Sequence, residues 1–305
     1  CGSENKTMTD RREFIQSAAA LALLAGTPAV ARSDARLTLP GRLIPGTDET
    51  LPIIGMGNSN AFRQGDKEAS WNVIRVFQEH GSRYIDVGGP SRFVVADVVR
   101  EHDLADSVFL GSYFSGEDDV PSHDEAKRLL EMTGKPALDL MHNYPEDAVP
   151  YWDTFRRWKD EGLTRYIGIA RHRSEYYDMM MGLMETGTVD FLQVNYSLLE
   201  TEAEERILPL AMDKGIAVTI NRPFLNGQYF GVVRGKELPE WAADFDCESW
   251  AQFSLKFILS HPAVNCVLTE TANPKHARDN LEAGLGRMPD EKERQKMLAH
   301  MRSLA

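Results

Sequence analysis

The sequence predicts an α/β fold, a single-domain (β/α)8 barrel of the TIM type. The clearest observation is the stretch 164–224, in which three short apolar strands alternate with two helical segments. These strands are rich in Ile, Val, Phe and Tyr, which is typical of parallel strands buried on both faces. Similar units recur along the chain, and eight of them favour a closed barrel over an open sheet.

The predicted elements follow one another in strict alternation. Strands are predicted at residues 51–60, 83–89, 107–113, 137–143, 164–172, 189–197, 216–224 and 264–270. Helices are predicted at residues 69–80, 91–102, 122–133, 149–161, 174–187, 202–215, 249–261, 273–284 and 289–303. Residues 32–50 are predicted to form an extended segment that leads into the barrel at 51–305, and residues 225–248 a long loop.

Composition narrows the range of partners. The chain of 305 residues has a formal net charge of −12 and no basic cluster. Such a chain is a poor match for nucleic acid or an anionic membrane surface. Its three cysteines do not form a disulfide framework, and Cys266 lies in an apolar strand where a small core residue is expected. A small molecule is the expected partner, whereas the oligomeric state cannot be read from the sequence.

The N-terminal residues 1–31 resemble an export leader. Arg11 and Arg12 precede an apolar stretch at 17–26 that is too short for a permanent membrane span. Small residues at 29–31 then resemble a cleavage site, as in a twin-arginine signal. We therefore expect a periplasmic protein without a permanent span, whose natural start is Met8. An amphipathic N-terminal helix and a lipoprotein-like terminus at Cys1 are the alternatives.

Polar residues stand at the C-terminal ends of the predicted strands, where barrels of this type carry their chemistry. Taken singly, each has a structural explanation: a helix cap, a satisfied histidine, a packed tyrosine or a rim ion pair. As a ring in otherwise apolar strands, they predict a functional site. The ring comprises Asp86, Tyr113, His142, Arg171, His172, Asn195, Tyr196, Asn221, Arg222 and Glu270.

Other classes of site are not indicated. The sequence contains no Walker A motif, no GxGxxG opening a helix, no CxxC and no HExxH. His142, His172 and Glu270 are the residues that would have to converge on a metal ion, but their spacing matches no metal motif. We therefore predict no metal site.

Several blocks taken in order resemble the aldo-keto reductase family. They read LPIIGMG, YIDVG, LDLMHN, LTRYIGIA, DFLQVNYS, GIAVTINRPFLNG and NPKHARDN, between about residues 51 and 300. With the N-terminal leader, the resemblance is closest to an exported, twin-arginine branch of that family. It implies a (β/α)8 barrel and NAD(P)H-dependent reduction of a carbonyl compound.

The resemblance also implies four catalytic groups: a Tyr acid, a Lys and an Asp that tune it, and a His that orients the carbonyl. Asp86 matches the Asp and His142 the His. Tyr113 stands where the Lys is expected, and the loop VGGPSRF carries Ser91 near the expected Tyr. The active site is therefore predicted to be atypical, with Tyr113 as the remaining phenol that could supply a proton.

On the nicotinamide side of the cofactor site, the resemblance assigns three residues. Gln193 matches the glutamine that holds the nicotinamide amide. Asn221 replaces the aromatic residue that stacks on the nicotinamide ring, and Arg222 follows it at the end of the same strand. The Ser-Asn pair expected after the fifth strand of the barrel reads Ala170-Arg171.

On the adenine side, Asn280 matches the residue that binds the base. Glu270 and His276 stand where basic residues would clamp a 2′-phosphate, and Arg278 is a nearby cation. A carboxylate repels a phosphate, so we expect NADH to be favoured over NADPH. Two functions remain open: a carbonyl-reducing oxidoreductase with reassigned groups, or a catalytically degenerate barrel that binds a ligand or partner without hydride transfer.

The leader provides a direct test of localisation. Replacing both Arg11 and Arg12 by lysine is expected to trap the protein in the cytoplasm, because the export receptor reads the two guanidinium groups. Fractionation of cells that express the wild-type and doubly substituted chains measures this. Unchanged delivery of the double variant to the periplasm would contradict the signal assignment.

Overall fold

Eight parallel strands close into a barrel in the computed structural model, which describes residues 38–114 and 123–304. The predicted fold class is therefore confirmed. The predicted leader at 1–31, with Arg11 and Arg12, lies outside the described residues. Within the described ranges, no helix combines the length and the apolarity that crossing a membrane requires.

The strands follow the predicted order, with a short hairpin placed before them. The hairpin consists of β1 (Gly41–Leu43) and β2 (Thr50–Pro52), which pair antiparallel. The barrel strands are β3 (Ile54–Met56), β4 (Tyr84–Val87), β5 (Phe109–Tyr113), β6 (Leu138–Asn143), β7 (Thr164–Arg171), β8 (Phe191–Asn195), β9 (Ala217–Asn221) and β10 (Val264–Thr269). Strand β10 pairs with both β9 and β3, and this closes the barrel.

Helices connect successive strands and cover the outside of the barrel. In the described residues they run over Asn60–Arg63, Lys67–Glu79, Ser91–Glu101, His123–Thr133, Pro145–Asp160, Tyr177–Met184, Ile207–Lys214, Gln228–Val232, Trp250–Leu259, Pro274–Glu282 and Glu291–Leu304. The helix that follows β6 shows how local chemistry sets the start of a helix. Pro145 begins the helix in its first turn, where the missing N–H has no intrahelical partner to lose, four residues before the predicted start.

Three predicted segments differ from the structure. Residues 51–60 were expected to form one strand, but 50–52 belong to the hairpin and only Ile54–Met56 joins the barrel. The segment at 32–50 is expected to be extended, but its described part, 38–50, turns back at Gly46, whose φ of 75° favours glycine. The loop at 225–248 contains the helix Gln228–Val232 and a 3₁₀ segment, Glu240–Phe245.

The hairpin closes the bottom of the barrel. Its side chains Ile44 and Leu51 belong to one buried cluster with inward-facing residues of the strands, namely Tyr84, Phe109, Leu140, Phe191, Ala217, Cys266 and Leu268. The predicted core position of Cys266 is thus observed. Because this cluster fills the lower half of the barrel, the space left for a ligand lies at the opposite, C-terminal end of the strands.

Strand register then brings the polar strand ends together. Asp86 of β4 lies beside Gly111 of β5, and Tyr113 of β5 lies beside His142 of β6. A side chain at Gly111 would overlap with the Asp86 carboxyl and approach the Tyr84 ring. Glycine at this position therefore permits a carboxyl group to sit inside the barrel.

The interior cluster gives a stability prediction. Phe109→Ala should lower the free energy of unfolding by about 3–5 kcal/mol, because it removes a fully buried ring that contacts Tyr84, Tyr166 and Phe191. Urea unfolding followed by circular dichroism measures the change. The matched control is Phe230→Ala, whose side chain is 40% exposed. Equal losses in both variants would contradict this account of the core.

Candidate active site

A cavity of about 650 Å³ opens at the C-terminal end of the barrel. Its floor is formed by polar side chains of the strands, and its walls by the connecting loops and the first turns of two helices. The lining residues that carry polar or charged side chains include Asp86, Tyr113, Gln193, Asn221, Arg222, Glu270, Arg63, Arg92, Tyr144, Arg171 and His172. The structure therefore brings most of the predicted site residues into one space.

Gln193 is the centre of the hydrogen bonds on the cavity floor. Its amide nitrogen donates to Asp86 Oδ2 at 3.0 Å. Its carbonyl oxygen accepts from the Tyr113 hydroxyl and from Asn221 Nδ2, the latter at 3.2 Å. Gln193 is 2% exposed, so both ends of its amide are occupied by protein groups. A ligand that engages this amide must share or displace one of these contacts.

Tyr113 occupies the position at which the resemblance leads one to expect a lysine. Burial raises the pKa of its phenol well above the usual value, and the nearby Asp86 charge raises it further. Gly88 permits this placement, since a side chain there would lie 3.1 Å from the Tyr113 ring. The phenol is thus held in its neutral form, and it is a weaker acid than a tyrosine in water.

His142 lies beneath the floor and does not line the cavity. Its ring is fully buried and stacks under the Tyr113 ring, with 5.1 Å between ring centroids. Its Nε2 lies 3.2 Å from Asp86 Oδ1, and the Tyr84 hydroxyl lies 3.4 Å from both groups. A ligand in the cavity therefore meets Tyr113 before it can reach the imidazole.

The loop after β4 is too short to deliver another phenol. It consists of Gly88, Gly89 and Pro90, after which the helix begins at Ser91. No lysine is among the described residues that line the cavity. Residues 115–122 read SGEDDVPS and contain neither tyrosine nor lysine. The Ser91 hydroxyl lines the cavity but is a far weaker acid than a phenol.

One wall of the cavity carries basic side chains. The Arg171 guanidinium is paired with Glu146 and lies between the rings of Tyr144 and Tyr176, 4.2 and 4.6 Å from their centroids. Tyr144 was not singled out from the sequence, although it follows His142 by two residues at the end of a strand. Arg63 and Arg92, also missed, come from helices, where the pattern of strand ends carries no signal.

Two ring positions predicted from the strand ends serve the fold. Asn195 accepts from the Tyr177 hydroxyl at 3.2 Å and donates to Glu200 at 2.6 Å. The Tyr196 hydroxyl contacts Glu204 and accepts from Arg294 at 2.7 Å, among helices outside the barrel. Neither lines the main cavity. In the described part of the chain, no three His, Cys, Asp or Glu side chains are grouped so that they could hold a metal ion.

The main cavity continues into a groove across the rim. A second cavity of about 580 Å³ shares Arg63, Arg222, Asn226 and Glu270 with the first. A third, of about 360 Å³, shares Phe224, Phe230, Glu270 and Thr271 with the second. Glu270 lines all three cavities, and its carboxylate forms an ion pair with Arg63 at 2.7 Å. The groove is therefore long enough to take an extended ligand.

The far end of the groove holds two residues that the resemblance assigns to the adenine side of the cofactor, Asn280 and His276. Phe224, Phe230 and Trp250 supply apolar surface there, and His276 and Asn280 line the same cavity. Asp279 adds a carboxylate that accepts from Gln252 at 2.8 Å and from Ser249 at 2.9 Å. Arg278, predicted to assist with a phosphate, is exposed and lines none of these three cavities.

Comparison with known proteins identifies the family of the chain. Residues 53–295 match the family model described as the aldo/keto reductase family. The chain is 26% identical over 127 residues to the NADH-specific methylglyoxal reductase of Escherichia coli, covering 38% of this chain and 37% of the relative. It is 24% identical over 200 residues to the aldo-keto reductase YhdN of Bacillus subtilis, covering 59% and 58%. Each alignment thus spans less than two-thirds of the relative.

Solved structures show the same fold at low sequence identity. An aldo-keto reductase from Bacillus halodurans in its holo form is 18% identical, with a TM-score of 0.69, and the match covers 88% of this chain and 96% of the other. An aldo/keto reductase from Klebsiella pneumoniae in complex with NADP and acetate is 19% identical, with a TM-score of 0.63 and coverage of 86% and 94%. With a family match that spans the barrel, this chain belongs to the aldo/keto reductase family.

Proposed function

We propose that this chain binds a nicotinamide dinucleotide in the groove and reduces carbonyl compounds poorly or not at all. The observation that carries the proposal is the position of Tyr113. A buried, neutral phenol on Gln193 stands where the family resemblance leads one to expect a lysine. The chain is thus an aldo-keto-reductase-like oxidoreductase by family, in which the expected Tyr acid and its Lys are both missing.

Support for dinucleotide binding comes from the groove. It runs from the cavity over Gln193 and Asn221 to the apolar surface beside Asn280, in three adjoining cavities. Solved relatives of the same fold from Klebsiella pneumoniae are bound to NADP and to NADPH. A flat, uncharged base suits the surface formed by Phe224, Phe230 and Trp250. Shape and composition therefore favour a dinucleotide over a compact ligand.

Support for weak or absent reduction comes from acid–base chemistry. Carbonyl reduction requires a proton on the developing alkoxide, and a positioned acid contributes about 10²–10⁴-fold to the rate. A phenol donates its proton readily at neutral pH only when its surroundings, above all a nearby cation, lower its pKa. At Tyr113, burial and the Asp86 charge act in the opposite direction. Losing the acid and its activating cation together removes the proton donor.

The second candidate is a carbonyl reductase in which Tyr113 acts as a relocated acid. One observation favours it: the Tyr113 hydroxyl lies on the cavity floor beside Asp86, in contact with the amide of Gln193. On this hypothesis the hydroxyl would leave Gln193 and turn to the substrate oxygen. His142 would then steady the ring from below through the stacking that it already makes.

Localisation is part of the proposal. We propose that the chain is exported to the periplasm by the twin-arginine route, on the strength of Arg11, Arg12 and the apolar stretch that follows them. The substitution test described above addresses the route independently of the chemistry.

Cofactor preference is the next testable consequence. NADH should bind about tenfold more tightly than NADPH, because the carboxylates of Glu270 and Asp279 line the adenine end of the groove and repel a 2′-phosphate. Fluorescence titration of both nucleotides measures the ratio. Glu270→Gln should reduce the preference for NADH. The control Glu161→Gln should leave this preference unchanged, because Glu161 is an exposed carboxylate outside the groove. Tighter binding of NADPH would show that the adenine end is wrongly assigned.

Turnover is the decisive measurement. With NADH or NADPH and a panel of aldehydes and ketones, the wild-type chain should show little or no rate above that measured without protein, since its phenol is not activated. Tyr113→Phe should leave this low rate unchanged, and so should the matched control Tyr144→Phe. Substantial turnover that Tyr113→Phe abolishes would establish Tyr113 as the proton donor. Substantial turnover indifferent to both tyrosines would point to another donor and would equally contradict the proposal.

A further inference from the structure

The C-terminal helix, Glu291–Leu304, places His300 against a cluster of aromatic rings. The His300 ring is parallel to the Trp250 indole, with 6.1 Å between the ring centroids and 6° between the planes. The rings of Trp241 and Phe253 meet it edge to face, with centroids at 5.7 and 6.4 Å. Its Nε2 is buried and finds no hydrogen-bond partner in the described part of the chain. His300 therefore contributes a flat ring surface to this cluster, and not a hydrogen bond from Nε2.

Trp250 belongs both to this cluster and to the groove. It lines the third cavity, the one that also contains Asn280. Its indole Nε1 donates to the carbonyl oxygen of Lys236 at 3.0 Å, and its own carbonyl oxygen accepts from the Tyr229 hydroxyl at 2.9 Å. These two hydrogen bonds hold the backbone and one edge of the indole. The parallel ring of His300 then limits how far the indole can tilt.

The C-terminal helix is also anchored by contacts that do not involve His300. The Arg294 guanidinium is buried and donates to the Tyr196 hydroxyl at 2.7 Å. The ammonium group of Lys296 lies 4.0 Å from the centroid of the Trp241 ring. Removing the His300 ring should therefore leave the helix in place and affect mainly the indole on which it stacks.

We propose that His300 is a positioning residue, which holds the Trp250 indole in the orientation that forms an apolar wall at the far end of the groove. A flat base gains most from an aromatic surface that is already fixed, because a wall that must be ordered on binding costs part of the interaction free energy. This inference rests on the proposed function, in which the far end of the groove receives the adenine of a dinucleotide. It adds a residue from outside the groove to those that determine affinity.

Two measurements on the full chain test this role, and the first needs no ligand. Acrylamide quenching of tryptophan fluorescence, taken as the difference between chains with and without Trp250→Phe, reports on the Trp250 indole alone. His300→Ala should make this indole more accessible to the quencher. His300→Phe should not, because it retains a flat ring.

The second measurement is the affinity for NADH. His300→Ala should weaken NADH binding about fivefold, which is the size expected for the loss of one aromatic contact. His300→Phe should stay within about twofold of the wild-type affinity. The matched control is His102→Ala, which removes a histidine ring stacked on Trp71 at 3.8 Å, away from the three cavities of the groove. This control should leave NADH binding unchanged.

Unchanged quenching of Trp250 in His300→Ala would overturn the inference, and so would equal losses of NADH affinity in His300→Ala and His102→Ala. Thermal melts show whether each variant is folded. If His300→Ala is not folded, His300→Leu, which fills the space without a flat ring, takes its place in both measurements. Failure of the wild-type chain to bind NADH would contradict the proposed function, and the quenching result would then decide alone whether His300 positions Trp250.

Discussion

The carboxyl group of Asp86 inside the barrel is the feature on which the active site depends. It is 3% exposed, and a buried carboxylate without hydrogen-bond donors is strongly destabilising. Gln193 donates to one oxygen, and the Tyr84 hydroxyl and His142 Nε2 lie against the other. These contacts fix the Gln193 amide, which in turn accepts from Tyr113 and Asn221. One buried acid therefore orders most of the cavity floor.

The same contacts explain why the floor offers little chemistry to a ligand. The polar atoms of Gln193 are directed at protein groups, and the His142 ring is covered by Tyr113. What stays open is the basic wall around Arg171 and Arg222 and the groove beyond Glu270. On the proposed function, binding and catalysis are separable in this site: the surfaces that would recognise a ligand are present, whereas an activated proton donor is not.

Much of the fold could be predicted from the sequence, because buried parallel strands produce runs of apolar residues that need no tertiary information. The strand containing Asp86 and the strand ending at Asn221 were predicted within about three residues of their observed ends. The sequence does not predict the hairpin, because Gly46 and Pro52 indicate a break in the chain but do not show which segments pair on either side of it. The expected strand at 51–60 therefore ran through two separate elements.

The site is predicted less completely, since a residue belongs to it only if its side chain points into the cavity, and sequence position alone does not give that orientation. Strand ends identified Asp86 and Tyr113, and the family resemblance identified Gln193; these three residues do meet. Strand ends also suggested Tyr196, which points outward to Arg294. They could not show that His142 lies under Tyr113 rather than beside the ligand. Arg63 and Arg92 line the cavity from helices, where no periodicity distinguishes them from surface residues.

On the proposed function, the absence of the expected lysine and the absence of the expected tyrosine are physically linked. A lysine at position 113 would bring an ammonium group into the barrel, where desolvation is expensive unless Asp86 and a ligand compensate for it. The resemblance assigns this lysine the activation of a phenol in the loop where this chain carries Ser91. A tyrosine fills similar space, buries a neutral group and meets its hydrogen-bonding need at Gln193. On this proposal there is no acid for a lysine to activate, and the neutral phenol is then the less costly occupant of that position.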